Sequence, residues 1–144
     1  MVAYSLRKAD QNDFEDVYSI KIEAMKEYII LTWGWDEDLQ KKFHLQEFKR
    51  ENIFIIEDDS KKIGTIGINE NSEEVVISRL YLIKEYQSRG IGSDIIHKII
   101  NENSSKLIRL GVLKINKRAK KLYEELGFVV CGEENNHWKM RLKF

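Results

Sequence analysis

The sequence predicts an α/β fold in which a mixed sheet (α+β in its strand pairing) carries helices on both sides. Three observations predict it. Short apolar strands follow one another between residues 53 and 83, separated by Asp58-Asp59-Ser60 and Asn69–Ser72. A strand, a glycine turn, a helix and a strand then run over 74–115, the pattern of a parallel crossover. The final residues alternate between apolar and polar, as a half-buried antiparallel strand does. The predicted element order is β-α-α-β-β-β-α-β-α-β-β.

Residues 3–8 read as the first strand. Asp10 is a good N-cap, with Asp13 in the first turn, for a helix over roughly 11–31 that carries Phe14, Val17, Ile20, Met25, Tyr28, Ile29 and Leu31. Thr32-Trp33-Gly34-Trp35-Asp36 interrupts it, and a second helix runs through Leu39, Phe43 and Phe48. Ile53-Phe54-Ile55-Ile56 is apolar on both faces, as a central strand should be. Strands at Ile63–Ile68 and Glu74–Ile83 follow, then a helix at Gly92–Glu102 whose Ile95, Ile96, Ile99 and Ile100 form one stripe. Leu107–Ile115 is a further strand. Asn116 caps a helix in which Ala119, Leu122, Tyr123 and Leu126 share a face, and Gly127 stops it. Phe128–Cys131 and His137–Phe144 close the chain as strands. In the last of these, Trp138, Met140, Leu142 and Phe144 alternate with His137, Lys139, Arg141 and Lys143. Proline is absent, so Gly, Asn, Asp and Ser alone mark the boundaries.

With 144 residues and 42% hydrophobic content, one domain over residues 1–144 is expected to bury a core of its own. The 24 basic and 24 acidic side chains cancel, giving a pI of about 6.8. Long-range attraction to nucleic acid or an anionic membrane is therefore not expected. Cys131 is the one cysteine and stands among apolar neighbours, so no internal disulfide forms and a reducing compartment is implied. The stretch Val2-Ala3-Tyr4-Ser5-Leu6-Arg7-Lys8 holds no apolar signal core, and no apolar run approaches membrane-spanning length. A cytoplasmic protein without a membrane partner and without a metal site is expected.

The chemistry concentrates between Leu80 and Ile100. Leu80-Tyr81-Leu82-Ile83 leads through Lys84-Glu85-Tyr86 to Gln87-Ser88-Arg89-Gly90-Ile91-Gly92, and Ser93 follows in the next helix. Two glycines ahead of a helix let the chain approach a ligand closely with its amide hydrogens exposed. The unpaired N–H groups and positive dipole end of the helix then favour a phosphate or pyrophosphate. A dinucleotide fingerprint would need a third glycine where Ile95 stands, and no Gly-Lys-Ser/Thr follows for a nucleoside triphosphate.

The second half of the chain narrows this to one family. Asn116, Ala119, Tyr123, Gly127 and Phe128 stand in the spacing Asn-x-x-Ala-x-x-x-Tyr-x-x-x-Gly-Phe, which resembles the closing motif of GNAT superfamily N-acetyltransferases. The run Leu80-Tyr81-Leu82-x-x-x-Tyr86-Gln87-x-x-Gly90-Ile91-Gly92 is similar to that family's acetyl-CoA motif, in the same order and at the same distance. Lys84 is a departure, standing where the family often has proline. The early Trp33-Gly34-Trp35-Asp36-Glu37 and late His137-x-x-Met140 also resemble a small GNAT subgroup.

The resemblance implies acetyl-CoA as cosubstrate. Amides at Ser88, Arg89, Gly90, Ile91, Gly92 and Ser93 would wrap the pyrophosphate, with Gln87 and Arg89 either solvated or in contact. Backbone groups at Leu80, Tyr81 and Leu82 would hold the pantetheine arm, a nearby amide polarising the thioester carbonyl. That requires the strand end to part from its sheet neighbour. Asn116 caps its helix on residue type alone, and the resemblance adds a hydrogen bond to the pantetheine. Tyr123 would otherwise be core; with the motif, its phenol becomes the donor to the departing thiolate. Lys117, Arg118, Lys120 and Lys121 form either a solvated face or a phosphate contact, for which Lys120 is the candidate. Tyr28, Trp33, Trp35, Glu74 and His137 are the expected acceptor-side residues, Trp33 and Trp35 either burying a helix corner or walling a cationic amine. His137 either serves there or keeps a pairing or surface role at the start of the last strand. The position of a general base in some family members is Val76 here, leaving a water relay or an amine that arrives deprotonated. His44 and His97 carry no signal.

The expected function is acetyl transfer from acetyl-CoA to the primary amine of a small molecule or peptide, without a covalent enzyme intermediate. The alternative is a non-catalytic acyl-CoA-binding or sensing module. An open sheet edge permits a homodimer.

Overall fold

The computed structural model describes residues 3–142. Of the sequence expectations, Val2 at the start and Lys143 and Phe144 at the end of the last strand lie outside the described residues. Strand β1 is Ser5–Lys8, and Asp10 caps a 3-10 turn at Gln11–Asp13. Helices α1 at Phe14–Trp33 and α2 at Glu37–Arg50 follow. Strands β2 at Ile53–Asp58, β3 at Lys61–Glu70 and β4 at Glu74–Leu82 come next, then α3 at Ile91–Glu102. The chain continues as β5 at Leu107–Leu113, α4 at Lys117–Glu125, β6 at Phe128–Glu134 and β7 at His137–Leu142. The expected element order is observed, and the strands are hydrogen-bonded in the order β1-β2-β3-β4-β5-β7-β6.

The chain divides into two compact units. The first comprises Met1–Ile68 and Arg79–Ile91, the second Asn69–Ser78 and Gly92–Phe144. In the first, β1 and β2 pair antiparallel from Ser5↔Glu57 to Lys8↔Phe54, and β2 pairs with β3 from Ile53↔Gly67 to Asp58↔Lys61. Ile53, Ile55 and Ile56 are all buried, as a strand covered on both faces requires. Asp10 and Asp13 form a reciprocal capping box, each side chain accepting from the other's end of the turn. Asp13 also takes both Arg7 nitrogens, at 2.9 and 3.0 Å, and the Lys62 ammonium at 2.8 Å. The Arg7 bond, ahead of Lys62, holds its buried carboxyl well below the usual carboxylate range.

In the second unit β4 and β5 are parallel, from Glu74↔Leu107 to Ile77↔Leu110, which is the crossover expected over 74–115. Strand β5 pairs antiparallel with β7, and β7 with β6, through the turn at Asn135-Asn136, both left-handed. Ile95, Ile96 and Ile99 bury the inner face of α3, Ile100 only partly. Met140 is fully buried at the centre of β7.

Several boundaries and faces differ from expectation. The first strand starts at Ser5, α3 starts one residue before Gly92, and β5 stops at Leu113, where Asn116 N–H returns to the Leu113 carbonyl in a turn. In α2 the expected apolar residues Leu39 and Phe43 are exposed, while Gln40 and His44 are buried. The cause is His44, whose ring packs 4.3 Å from Phe14 and 5.0 Å from Tyr18, centre to centre. Its Nε2 donates to the Phe14 carbonyl at 2.7 Å, so a satisfied polar ring takes the inward face. Cys131 is exposed rather than packed among apolar side chains. It sits on β6, the last strand of the sheet order, where a register shift between Val130 and Gly132 turns Val129, Val130 and Cys131 outward.

Candidate active site

In the first unit the second half of β4 departs from regular strand geometry. Arg79 has φ of 52°, a left-handed conformation that a side chain with a Cβ adopts only under constraint. The parallel ladder with β5 covers Glu74 to Ile77, and Leu80–Leu82 come after both its end and this turn. Their main chain is held from several sides. Gly64 on β3 sits beneath the Tyr81 carbonyl, so close that a Cβ there would collide with that oxygen and stand 2.8 Å from Leu82 Cδ2. Thr65 Oγ1 donates to the Arg79 carbonyl at 2.9 Å, and Ile83 N–H to the Ile63 carbonyl at 2.9 Å. Gln87 Nε2 donates to the Leu82 carbonyl at 2.8 Å.

A 3-10 turn at Lys84–Tyr86 then redirects the chain. Lys84 N–H donates to Glu23 Oε2 at 2.6 Å, a bond that proline at this position would forgo. Tyr86 is buried and its hydroxyl donates to Asp58 Oδ2 at 2.7 Å. The Arg89 guanidinium lies 5.0 Å from the centre of the Tyr86 ring and the Lys61 ammonium 5.3 Å, so the Arg89 side chain is partnered within the protein. Ser88 at φ 62° and Gly90 at φ 83° are both left-handed and, with Arg89, exposed. Ile91 is fully buried where α3 begins. Alternating left-handed residues ahead of a helix are the conformation that turns successive amides toward an anion.

The interruption between α1 and α2 belongs to the same unit. Gly34 at φ 82° ends α1, and its N–H donates to the Ile30 carbonyl at 3.0 Å. Asp36 restarts the chain as a cap, accepting from Leu39 N–H at 3.1 Å. Tyr28 is half-buried, while Trp33 is 54% exposed. Trp35 Nε1 donates to Glu37 Oε2 at 2.7 Å, and the Lys26 ammonium lies 4.8 Å over its ring. The Trp35 bond, ahead of that from Tyr18, lowers the Glu37 carboxyl. A small cavity in this unit is lined by Val17, Lys21, His44, Glu47, Ile53, Thr65, Arg79 and Tyr81. Burial pushes the Tyr81 hydroxyl up and the His44 imidazole down, keeping both neutral near pH 7.

In the second unit Gly92 and Ser93 occupy the first turn of α3, with Asp94 paired to Lys98 at 3.2 Å. Asn116 Oδ1 accepts from Ala119 N–H at 3.2 Å, which establishes its capping role. Left-handed Gly127 donates to the Glu124 carbonyl and closes the other end of α4. Tyr123 is 8% exposed with its ring 6.1 Å from that of Phe128, edge to face. Lys120 pairs with Glu124 at 3.3 Å and is half-buried, whereas Lys117, Arg118 and Lys121 are exposed. Glu74 is held by Arg109 through two bonds of 2.9 and 3.0 Å, and the Arg109 bond lowers its carboxyl. His137 Nδ1 donates to the Asn135 carbonyl at 2.8 Å, which fixes its proton on that nitrogen. Sequence reasoning missed Arg79, Gly64 and His44. A glycine between β-branched residues of a strand is a signal of close backbone approach that was available for Gly64.

The acetyltransferase (GNAT) domain family profile matches residues 49–130. An uncharacterised N-acetyltransferase of Methanocaldococcus jannaschii is 23% identical over 143 residues, covering 87% of this chain. The chain spans 60% of the length of that curated relative. Among solved structures, PaiA N-acetyltransferase of Thermoplasma acidophilum in complex with coenzyme A has TM-score 0.76 at 19% identity, with 99% of each chain covered. The ribosomal-protein-S18-alanine N-acetyltransferase of Escherichia coli has TM-score 0.71 at 19% identity, covering 97% of this chain and 93% of that one. A spermidine N-acetyltransferase SpeG chimera from Vibrio cholerae and hSSAT has TM-score 0.69 at 20% identity, covering 96% of this chain and 94% of that one. This chain belongs to the GNAT acetyltransferase family.

Proposed function

We propose that this chain transfers an acetyl group from acetyl-CoA to a primary amine by direct attack. Acetyl-CoA is the cosubstrate that fits the family, and one structural neighbour holds coenzyme A. When bound it supplies an activated thioester. The observation that carries the reading is the backbone from Arg79 to Ile91: a strand end beyond its ladder, then left-handed Ser88 and Gly90 running into α3.

The chain's own residues then have distinct tasks. Amides of Ser88, Arg89, Gly90, Ile91, Gly92 and Ser93 bind the pyrophosphate, with Lys120 as a further cation and Gln87 bracing the Leu82 carbonyl. Main-chain groups of Leu80, Tyr81 and Leu82 bind the pantetheine amides and polarise the thioester oxygen. Asn116 keeps a second lone pair and an amide for the same arm while capping α4. Tyr123 holds its proton at Oη and donates a hydrogen bond to the leaving sulfur. Full proton transfer from a phenol to a thiolate is uphill by about 2 kcal/mol on reference values, so a hydrogen bond with late proton movement is the operative form.

Tyr28, Trp33, Trp35, Glu74 and His137 are proposed on the acceptor side. The Lys26 ammonium over Trp35 supports an affinity of that ring for cations. The Arg109 pairing of Glu74 supports water, or an amine that arrives neutral, as the route for the acceptor proton. Cys131 lies on β6 with its thiol directed to the Lys139 carbonyl at 3.5 Å, which supports transfer without an acyl-enzyme. No described helix is long and apolar enough to cross a membrane. The balanced charge supports small-molecule or peptide amines over nucleic acid as partners. The length of 144 residues with 42% hydrophobic content supports one functional domain, and the single cysteine supports a reducing, cytoplasmic site of action.

The test is thiol release from acetyl-CoA across a panel of polyamines, peptide N-termini, lysine peptides and small amines. Release that depends on an amine and falls in Tyr123→Phe is expected. Saturable binding of acetyl-CoA with no release for any amine would instead identify a sensing module.

A further inference from the structure

Arg79 is a non-glycine residue at φ 52° within a strand, and such a conformation persists only when its surroundings over-determine it. The surroundings here are a cluster of buried charge. Arg79 Nη2 lies 2.9 Å from Glu47 Oε2 and 2.9 Å from Glu51 Oε2, and its Nε donates to the same Glu51 oxygen at 3.2 Å. Glu47 lies in the last turn of α2, and Glu51, four positions on, is the extended residue that caps its C-terminal end. Lys21 of α1 completes the group, its ammonium 3.1 Å from Glu47 Oε1. Two cations therefore face two carboxylates, with side chains between 10% and 26% exposed. Thr65, itself 1% exposed, takes the Arg79 carbonyl that the left-handed turn swings out of strand geometry.

We infer that Glu47 and Glu51 are positioning residues: through Arg79 they latch β4 in the left-handed turn that sets the Leu80–Leu82 main chain for a coenzyme A thioester. The inference rests on the proposed function for its ligand and on the geometry alone for its backbone part. It ties the residues of α1 and α2 to cofactor affinity, although none of Lys21, Glu47 or Glu51 is assigned a contact with the cofactor. The ion pairs are one way to hold the turn; a residue that adopts φ of this sign without strain is another.

That equivalence supplies the test. Arg79→Ala loses the pairs and keeps the steric cost of the turn, so acetyl-CoA binding by calorimetry should weaken roughly tenfold. Arg79→Gly loses the same pairs but accepts the conformation freely, so it should recover most of that affinity and show a higher thermal midpoint than Arg79→Ala. Glu51→Gln, which keeps the shape of the side chain, should weaken binding severalfold, while Arg50→Gln, whose guanidinium lies 3.9 Å from Glu51 at the surface, should not. A glycine variant that binds no better than the alanine variant, or an alanine variant that binds like the unaltered chain, overturns the latch. Failure of the unaltered chain to bind acetyl-CoA overturns the function instead. The latch is then decided by the thermal midpoints, where an alanine variant at or above the glycine variant refutes it.

Discussion

Gly64 on β3 occupies the position directly beneath the Tyr81 carbonyl of β4, and a methyl group in its place would overlap that oxygen. Two backbones approach here more closely than side chains allow, at the stretch of β4 proposed to hold the thioester arm. Gly64→Ala must therefore displace β4 or distort β3. A loss of about 1–3 kcal/mol in urea unfolding is expected, together with weaker acetyl-CoA binding. Unchanged stability would show that β4 has room to retreat.

Tyr123→Phe removes one hydroxyl and leaves the edge-to-face contact with Phe128 in place. Turnover at saturating substrates should fall by about 100-fold, the lower end of what a positioned proton donor contributes, while the acetyl-CoA dissociation constant stays within a factor of about two. Equal turnover in the two proteins would return Tyr123 to a purely packing role.

Asn116 has a demonstrated task and a proposed one, and substitutions separate them. Asn116→Ala should cost about 1 kcal/mol of stability through the lost cap on Ala119 N–H. Asn116→Asp keeps an equally good capping oxygen and removes the amide donor. Retained stability with weakened acetyl-CoA binding in Asn116→Asp is the signature of a pantetheine contact, and wild-type binding in that variant would leave only the cap.

His44 gives stability a defined pH response. Burial lowers its imidazole below the ordinary value of 6.5, so the unfolded chain takes up a proton at higher pH than the folded chain does. The folded state binds fewer protons in that window, and stability falls as pH drops below about 6.5 and is flat with respect to this group above it. His44→Gln should lower the urea midpoint at neutral pH yet flatten its decline between about pH 6.5 and 5. An identical slope in both proteins would place the acid sensitivity elsewhere.

The sequence made the order of elements legible because each boundary carried its own chemistry. Asp10, Asn116 and Gly127 do what their residue types suggested, as caps and a stop. The α2 face was not legible, because periodicity weighs Leu39 and Phe43 above His44, while the actual packing rewards an imidazole satisfied by Phe14 and ringed by aromatics. The exposure of Cys131 depended on β6 taking the outer place beside β7, which is a property of the sheet and not of the local sequence. At the candidate site the glycine turn was visible in Gly90, and the left-handed Ser88 beside it was not. Arg79 was hidden for a deeper reason. Its conformation is set by carboxylates 28 to 32 residues away in the chain, and nothing in the strand's own composition announces it.

The central claim is that this chain binds acetyl-CoA through its β4 end and glycine turn and passes the acetyl group to an amine. Calorimetric titration of acetyl-CoA into the purified chain, repeated with Gly90→Val, tests it most directly. Saturable heat with one site per chain, abolished by a branched side chain where φ is 83°, is the predicted result. No heat in the unaltered chain, or equal heat in both, would contradict it.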